Sequence, residues 1–208
     1  MNQNNWQGQS EDIKYLSEDE LRRLLGPITK GNHQHHALFN LIYQFGLRAS
    51  EAISMRIEDI DLDKSRILIT RLKRKDKFRT ASFPIPESLV EILKRWLRER
   101  RKHRAAKAGN PYLFLSQKSR GTMKHMGLGQ LQHLFAVYAE RAGIEKARRH
   151  VHTLRHSCGI MMAKSGLNAE EIRNRLGHVS MLSTDIYCRL AGPEREAAHG
   201  RAEKALEL

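Results

Sequence analysis

The chain has 208 residues, a length that suits one compact domain with its own hydrophobic core. It contains 37 lysines and arginines against 23 aspartates and glutamates, and its formal net charge is +14. Such an excess of positive charge attracts polyanions and favours a nucleic-acid-binding function. Two cysteines are too few for a disulfide framework, and no apolar run approaches the roughly 20 residues of a transmembrane helix. We therefore expect a cytoplasmic, nucleoid-associated protein.

The N-terminal part of the chain contains two helix signals. Residues 1–15 have the composition of a flexible tail, and Ser17 and Glu20 then form a capping-box pattern that predicts a helix from about Ser17. In HHALFNLIYQF, apolar residues recur at steps of three and four, and Gly46 follows as a helix stop. The next letters, LRASEAISM, place Arg48 in a short, rigid turn between two helices.

Between residues 57 and 85 the pattern changes from helical to β-prone. RILIT and TASFPI are short strand-like segments, and the run between them, RLKRKDKFR, is strongly basic. These features predict a small antiparallel sheet with a basic hairpin tip. These basic side chains either form a solvated face or, in a DNA-binding protein, contact DNA phosphates, which position a protein without reading the sequence. These residues are Arg71, Arg74, Lys75, Lys77 and Arg79.

The second half of the chain is predicted to be mostly helical. Pro86 begins an amphipathic segment, PESLVEILKRWLRERRKHR, and a Gly-Asn-Pro break follows at 109–111. YLFLS is then a short buried segment, and LGQLQHLFAVYAERAG is a further amphipathic helix that ends at Gly143. The predicted fold class is therefore α+β, mainly α, with a small antiparallel β-sheet at one edge.

The segment HTLRHSCGIMMAKSGLNAEEIRNRLGHVSMLSTDIYCRL concentrates histidine and arginine near one tyrosine. His152 and Arg155 are three residues apart, so both can face one ligand from the same helical turn. Asn168 resembles a helix N-cap, and Gly177 resembles the C-terminal stop of that helix. His178 comes directly after this stop, where the backbone turn fixes its position.

Four pieces of the sequence together resemble the tyrosine recombinase (phage integrase) family. They are GLRASE with Arg48, HTLRH with His152 and Arg155, LGH with His178, and Tyr187 shortly after. Each piece alone is a weak signal, whereas the combination at these intervals is specific. The resemblance implies that Tyr187 is a nucleophile rather than a packing residue.

The resemblance begins at about Tyr15 and implies a tyrosine recombinase catalytic domain over residues 16–190. The stretch 1–47 before Arg48 is too short for the separate core-binding domain of larger integrases. In this respect the chain is similar to the short fimbrial-switch recombinases. Residues 191–208 are helix-prone, and this C-terminal helix either folds back in cis or is exchanged between protomers.

The resemblance implies phosphoryl-transfer chemistry with no metal and no other cofactor. Guanidinium groups bind phosphate oxygens through a planar fork, so Arg48 and Arg155 would clamp the scissile phosphate. Tyr187 would attack it and form a 3′-phosphotyrosine linkage. His152 would assist the proton transfer from the phenol, and His178 would hydrogen-bond the phosphate.

A lysine on the hairpin would protonate the leaving 5′ oxygen, by the same resemblance. Lys73 matches the position best, since it follows the strand-like segment directly. Lys75 and Lys77 are the alternatives. A separate group of histidines, His33, His35 and His36, is interpreted as a solvated helix start and not as a metal site.

The implied function is site-specific recombination of double-stranded DNA by integration, excision or inversion. The implied assembly is a homotetramer on two DNA sites, with a monomer or dimer off DNA. Two alternatives stay open. One is a DNA-binding regulator of recombinase descent that does not cut, and the other is a type IB-like topoisomerase that relaxes DNA without exchanging strands.

Overall fold

The computed structural model shows a mainly helical domain with one small sheet. It describes residues 13–72, 80–116, 124–178 and 182–192. The helices of these residues, in chain order, are α1 (Glu18–Leu25), α2 (His33–Phe45), α3 (Ala49–Ser54), α4 (Glu87–Arg100), α5 (Arg104–Lys107), α6 (Leu128–Arg141), α7 (His152–Lys164), α8 (Ala169–Leu176) and α9 (Leu182–Leu190). The strands are β1 (Ile60–Asp61), β2 (Arg66–Thr70) and β3 (Thr80–Pro84).

The sheet is antiparallel with strand order β1-β2-β3. Ile67 of β2 lies opposite Phe83 of β3, and Ile67 and Ile69 point into the core while Leu68 between them is exposed. This period of two buries one face of the sheet and leaves the other face to solvent. The predicted fold class, mainly helical with a small antiparallel sheet, is confirmed.

The helix boundaries follow the capping signals of the sequence. Ser17 caps α1, and its side chain and that of Glu20 form the reciprocal hydrogen bonds of a capping box. Asn32 caps α2, which therefore begins two residues before the predicted segment. Gly46 ends α2 with a left-handed backbone (φ 56°), a conformation that glycine adopts without steric cost.

The apolar core is formed by two clusters of buried side chains. The larger cluster joins α1, α2, α4, α6 and the sheet, and the smaller one joins α7, α8 and α9. Ile13 and Tyr15, from the predicted flexible tail, pack against the smaller cluster. The N–H of Leu16 also donates a 2.8 Å hydrogen bond to Ser157 Oγ on α7. Residues 1–12 and 193–208 lie outside the described residues, so the predicted terminal segments stay predictions.

The histidine-rich start of α2 is buried, and the prediction of a solvated helix start was wrong. Only 4% of His35 is exposed, and its Nδ1 lies 3.1 Å from the hydroxyl of Tyr138. The ring faces the protein because α2 packs between α4 and α7 and has little free surface. The parts of the chain that the structure describes contain no cluster of His, Cys, Asp or Glu able to hold a metal.

Candidate active site

The turn between α2 and α3 fixes Arg48 in place. Arg48 is the N-cap residue of α3, and its N–H donates to Glu51 Oε2 at 2.9 Å. Its guanidinium also donates to Glu51 Oε1 at 2.8 Å. Burial alone would raise the pKa of Glu51, but Arg71 and Arg48 hold it below its usual value. Glu51 is therefore an ionised carboxylate that orients Arg48.

Arg71, predicted to contact DNA, lies in the protein interior and is 2% exposed. Its Nη1 donates to Glu51 Oε2 at 2.9 Å, and its Nη2 donates to the carbonyls of Phe45 and Arg175. The side chain lies against Gly177, where a Cβ would come within 2.7 Å of Arg71 Cδ. Arg71 thus connects the base of the β2–β3 hairpin to α2, α3 and the end of α8.

Arg155 enters the same cluster from α7 and is 1% exposed. Its guanidinium donates to the carbonyl of Gly46 and, at 2.9 Å, to that of Leu176. Nη1 also lies 3.9 Å from Glu51 Oε2. Burial, Arg48 and Arg71 lower the pKa of Arg155 to about 10, so it stays charged at neutral pH.

Arg48, Arg71 and Arg155, here called the arginine cluster, share the carboxylate of Glu51. Three guanidinium charges against one carboxylate leave a surplus of positive charge. Buried like charges repel unless an anion compensates them, so the cluster favours a bound anion such as a phosphate. Arg48 is the member whose side chain is partly exposed, and it therefore marks the side from which an anion can enter.

His178 lies directly after α8, where Gly177 adopts a left-handed backbone with φ 67°. Its Nδ1 lies 2.8 Å from the hydroxyl of Thr184 on α9, and both side chains are buried. Burial, followed by the charges of Arg155, Arg48 and Arg71, lowers the pKa of His178 to about 3. The imidazole is therefore neutral at neutral pH.

Tyr187 of α9 is buried and is 2% exposed. One face stacks on His178, with 6.1 Å between ring centroids and 28° between planes. The ring also lies on Gly159 of α7, where a Cβ would come within 2.7 Å of it. The hydroxyl lies 2.9 Å from Nδ1 of His156. Burial raises the pKa of Tyr187 to about 12, although Arg155 and Arg48 oppose this shift.

A pair of histidines on α7 lies beside the phenol. His152, exposed at the start of the helix, meets His156 edge to face with 4.4 Å between ring centroids. Burial, together with His152 and Arg155, lowers the pKa of His156 to about 4. His156 was part of the motif that carried the resemblance, but the sequence assigned it no role. Its spacing of four residues from His152 was the signal that places both on one helix face.

Comparison with known proteins shows the family to which this chain belongs. A model of the phage integrase family matches residues 14–193. The chain belongs to this family. FimB, the type 1 fimbriae regulatory protein of Escherichia coli K12, is 33% identical over 175 residues, which cover 83% of this chain and 82% of FimB. Tyrosine recombinase XerA of Pyrococcus furiosus is 32% identical over 189 residues, or 91% of this chain and 62% of XerA.

The fold of this phage integrase family member is also that of a solved recombinase. The crystal structure of XerH site-specific recombinase bound to its difH substrate, a pre-cleavage complex, matches with a TM-score of 0.70 and 25% identity. The match covers 84% of this chain and 49% of the XerH chain. The chain thus spans less than two thirds of the length of XerA and of XerH.

The structure brings five of the predicted site residues of this integrase family member into one region. Arg48 and Arg155 meet at Glu51, His178 stacks on Tyr187, and His152 reaches Tyr187 through His156. Thr184, beside His178, is an addition that the sequence did not indicate. The remaining predicted residues, Lys73, Arg74, Lys75, Lys77 and Arg79, lie outside the described residues.

Proposed function

We propose that the chain is a tyrosine site-specific recombinase, which cleaves and rejoins DNA through a 3′-phosphotyrosine intermediate. The observation that supports this most directly is a buried tyrosine hydroxyl beside a cluster of three arginines that share one carboxylate. A phenol and a surplus of fixed positive charge are the two requirements of nucleophilic attack on a phosphodiester.

The arginine cluster binds the scissile phosphate in this proposal. Arg48 and Arg155 donate to its non-bridging oxygens, which gain negative charge as phosphorus becomes five-coordinate. Glu51 and the carbonyls behind Arg155 hold the donors in place before the DNA arrives. These fixed charges do the work of a divalent cation in other phosphoryl transfers, and the proposed step therefore uses no metal.

His178 is the third phosphate donor. We assign the Thr184 hydroxyl as the donor to Nδ1, which fixes the tautomer in which Nε2 carries the proton. A neutral imidazole of this tautomer donates a hydrogen bond without adding a further charge. Its depressed pKa keeps it in that form at neutral pH.

Tyr187 attacks phosphorus and displaces the 5′ oxygen of the next nucleotide. Tyr187 is buried in this arrangement, so the scissile phosphate has to reach it at the arginine cluster. A hairpin lysine protonates the leaving oxygen, with Lys73 first and Lys75 or Lys77 as the alternatives. The phosphotyrosine conserves the energy of the broken bond, and a 5′ hydroxyl can rejoin the strand by the reverse step.

The proposed partner is double-stranded DNA carrying a specific site. The net charge of +14 and the relative XerH, solved with its difH substrate, support a DNA partner. Exchange of strands joins two duplexes, so we propose a homotetramer on two sites, with residues 191–208 as the exchanged helix. A location in the cytoplasm at the nucleoid follows from this partner.

A covalent-adduct assay tests the function. Rounds of selection from random duplex DNA first yield sites that the full chain binds, and a nicked suicide version of such a site then traps the intermediate. We expect a protein–DNA adduct that survives denaturing electrophoresis and is lost in Tyr187→Phe, which retains the packing of the ring. Tight binding with no adduct would indicate a silent regulator. Relaxation of plasmids that lack the site would indicate a topoisomerase.

A further inference from the structure

The hydroxyl of Tyr187 has a defined partner in the described part of the chain. Nδ1 of His156, the residue directly after Arg155 on α7, lies 2.9 Å from it. Gly159 and His178 both pack against the tyrosine ring, which limits its rotation away from His156.

The two histidines that the resemblance implicates make other contacts. His178 meets Tyr187 through stacked rings, and its Nδ1 is paired with Thr184. His152 lies edge to face with His156, at the exposed start of α7. Nδ1 of His156, in contrast to the stacked ring of His178, lies at hydrogen-bond distance from the phenol.

We propose that His156 is a catalytic residue that accepts the phenolic proton of Tyr187 as its oxygen attacks phosphorus. This inference rests on the proposed function. The Oη–H bond breaks and the proton moves to Nδ1, while an Oη–P bond forms and the P–O5′ bond breaks. The leaving oxygen takes its proton from the hairpin lysine. In the rejoining step, the His156 imidazolium returns its proton to the departing phenol.

The surroundings of His156 keep it uncharged before the transfer. The titratable and charged groups around it are His150, His152 and Arg155 from its own helix and the preceding turn, Tyr187 from α9, and His178 from the turn before α9. Burial, His152, Arg155 and His150 keep the imidazole neutral at neutral pH, so a nitrogen lone pair is available. His152 contacts the ring of His156 edge to face, and in this proposal His152 positions that ring.

Single-turnover cleavage of the selected suicide substrate tests the proposal with the full chain. We expect His156→Gln and His156→Gly to slow adduct formation by about 10²–10⁴-fold, the usual contribution of a general base. The control is His133→Gln, which changes an exposed histidine on α6 and should cleave at the wild-type rate. Circular dichroism and DNA binding confirm that each variant is folded.

Two further readouts separate proton transfer from a structural role. A substrate with sulfur at the bridging 5′ position needs no acid, so it should rescue a hairpin-lysine variant such as Lys73→Ala but not His156→Gln. Added imidazole should restore His156→Gly at least tenfold, and without imidazole its rate should rise with pH. Wild-type rates in the His156 variants, or a loss that neither imidazole nor pH alters, would overturn this inference. Absence of an adduct with the wild-type chain would instead overturn the proposed function.

Discussion

At the scale of single residues, the site depends on charges that are fixed before DNA binds. Arg48 illustrates this, since both its backbone and its guanidinium donate to Glu51. The cost of ordering its long side chain has therefore been met during folding rather than during catalysis. We expect such groups to contribute more to the cleavage rate than to DNA affinity.

Arg48→Ala should lower the rate of adduct formation by about 10²–10³-fold, equivalent to about 2.7–4 kcal/mol, because one donor to the developing charge is lost. Arg22→Ala is a suitable control, because Arg22 is an exposed arginine whose partners lie within α1. Comparable losses in both variants, measured on the same suicide substrate, would contradict a specific role for Arg48.

Thr184→Val tests the tautomer of His178. The change keeps the shape of the side chain but removes the hydroxyl that meets Nδ1, so we expect cleavage to fall about tenfold while DNA affinity is retained. Thr184→Ser should recover most of the rate. Thr80→Val, which alters an exposed threonine of β3, is the matched control. An unchanged cleavage rate in Thr184→Val would show that the tautomer is set in another way.

At the scale of secondary-structure elements, Arg71 and Arg175 join the sheet to α8. Arg71 donates to the carbonyl of Arg175, whose own guanidinium lies over the rings of Phe45 and Phe83, at 4.9 and 4.7 Å from their centroids. Lys73, the predicted general acid, follows Arg71 by two residues. The two arginines therefore anchor the hairpin base to the turn that carries His178.

Arg71→Met removes this anchor and leaves Glu51 with one fewer cation. We expect the free energy of unfolding to fall by about 3–5 kcal/mol, because the buried carbonyls of Phe45 and Arg175 and one oxygen of Glu51 lose their donor. Arg22→Ala, which removes exposed ion pairs, should lose about 1 kcal/mol or less. Urea unfolding of the two variants measures both values. A loss below 1 kcal/mol would mean that the interior position of Arg71 contributes little.

Two glycine substitutions test the contact between α7 and α9. Gly159→Ala places a Cβ against the Tyr187 ring, so we expect a loss of stability of about 1–3 kcal/mol. Gly129→Ala on α6 meets nothing within 4 Å and should stabilise the protein by about 0.5–1 kcal/mol, the advantage of alanine over glycine in a helix. Thermal unfolding measures the change in stability of each variant. Changes of the same sign would contradict the contact between α7 and α9.

The sequence predicted features that depend on neighbouring residues, and it did not predict contacts between distant segments. Each of the helix caps at Ser17 and Gly177 depends on residues within four positions of the cap, and both were predicted correctly. The DNA contact predicted for Arg71 was based on its charge alone. The alternation of β2, continued by one residue, places Arg71 on the same inward face as Ile67 and Ile69. The partners of Arg71 could not be predicted from a local pattern, since they come from α2, α3 and α8.

The site residues likewise divide into those that sequence motifs indicate and those that only tertiary contacts reveal. A resemblance of motifs identified Arg155 and Tyr187, but the carbonyl acceptors of Arg155 and the His156 contact are tertiary facts. Thr184 carried no signal, because a buried threonine on a helix is ordinarily packing. The choice among hairpin lysines stays a prediction.

At the scale of the whole molecule, buried neutral histidines link stability to pH. The pKa of His156 is lowered to about 4 and that of His178 to about 3, against about 6.5 in an unfolded chain. Below pH 6.5 the unfolded state therefore binds protons that the folded state does not. Folding stability from these groups is complete above that pH and declines as the pH falls toward 4.

Chemical denaturation between pH 8 and pH 5 measures this effect, since carboxylates protonate mainly below that range. We expect the free energy of unfolding to fall by on the order of 1 kcal/mol for each of the two histidines by pH 5. His156→Gln should show a shallower decline than His133→Gln, which retains both buried rings. Parallel curves for the two variants would contradict the proposed linkage.

The acceptors of the Arg155 guanidinium determine which residues around it tolerate substitution. Two of its acceptors are main-chain carbonyls, those of Gly46 and Leu176, and a carbonyl survives any change of side chain. Gly46 itself is the exception, because a Cβ there would approach Leu176 Cδ2 to 2.1 Å on a left-handed backbone. Apolar replacements of Leu176 therefore leave its carbonyl in place to accept from Arg155, whereas Gly46 has to be kept.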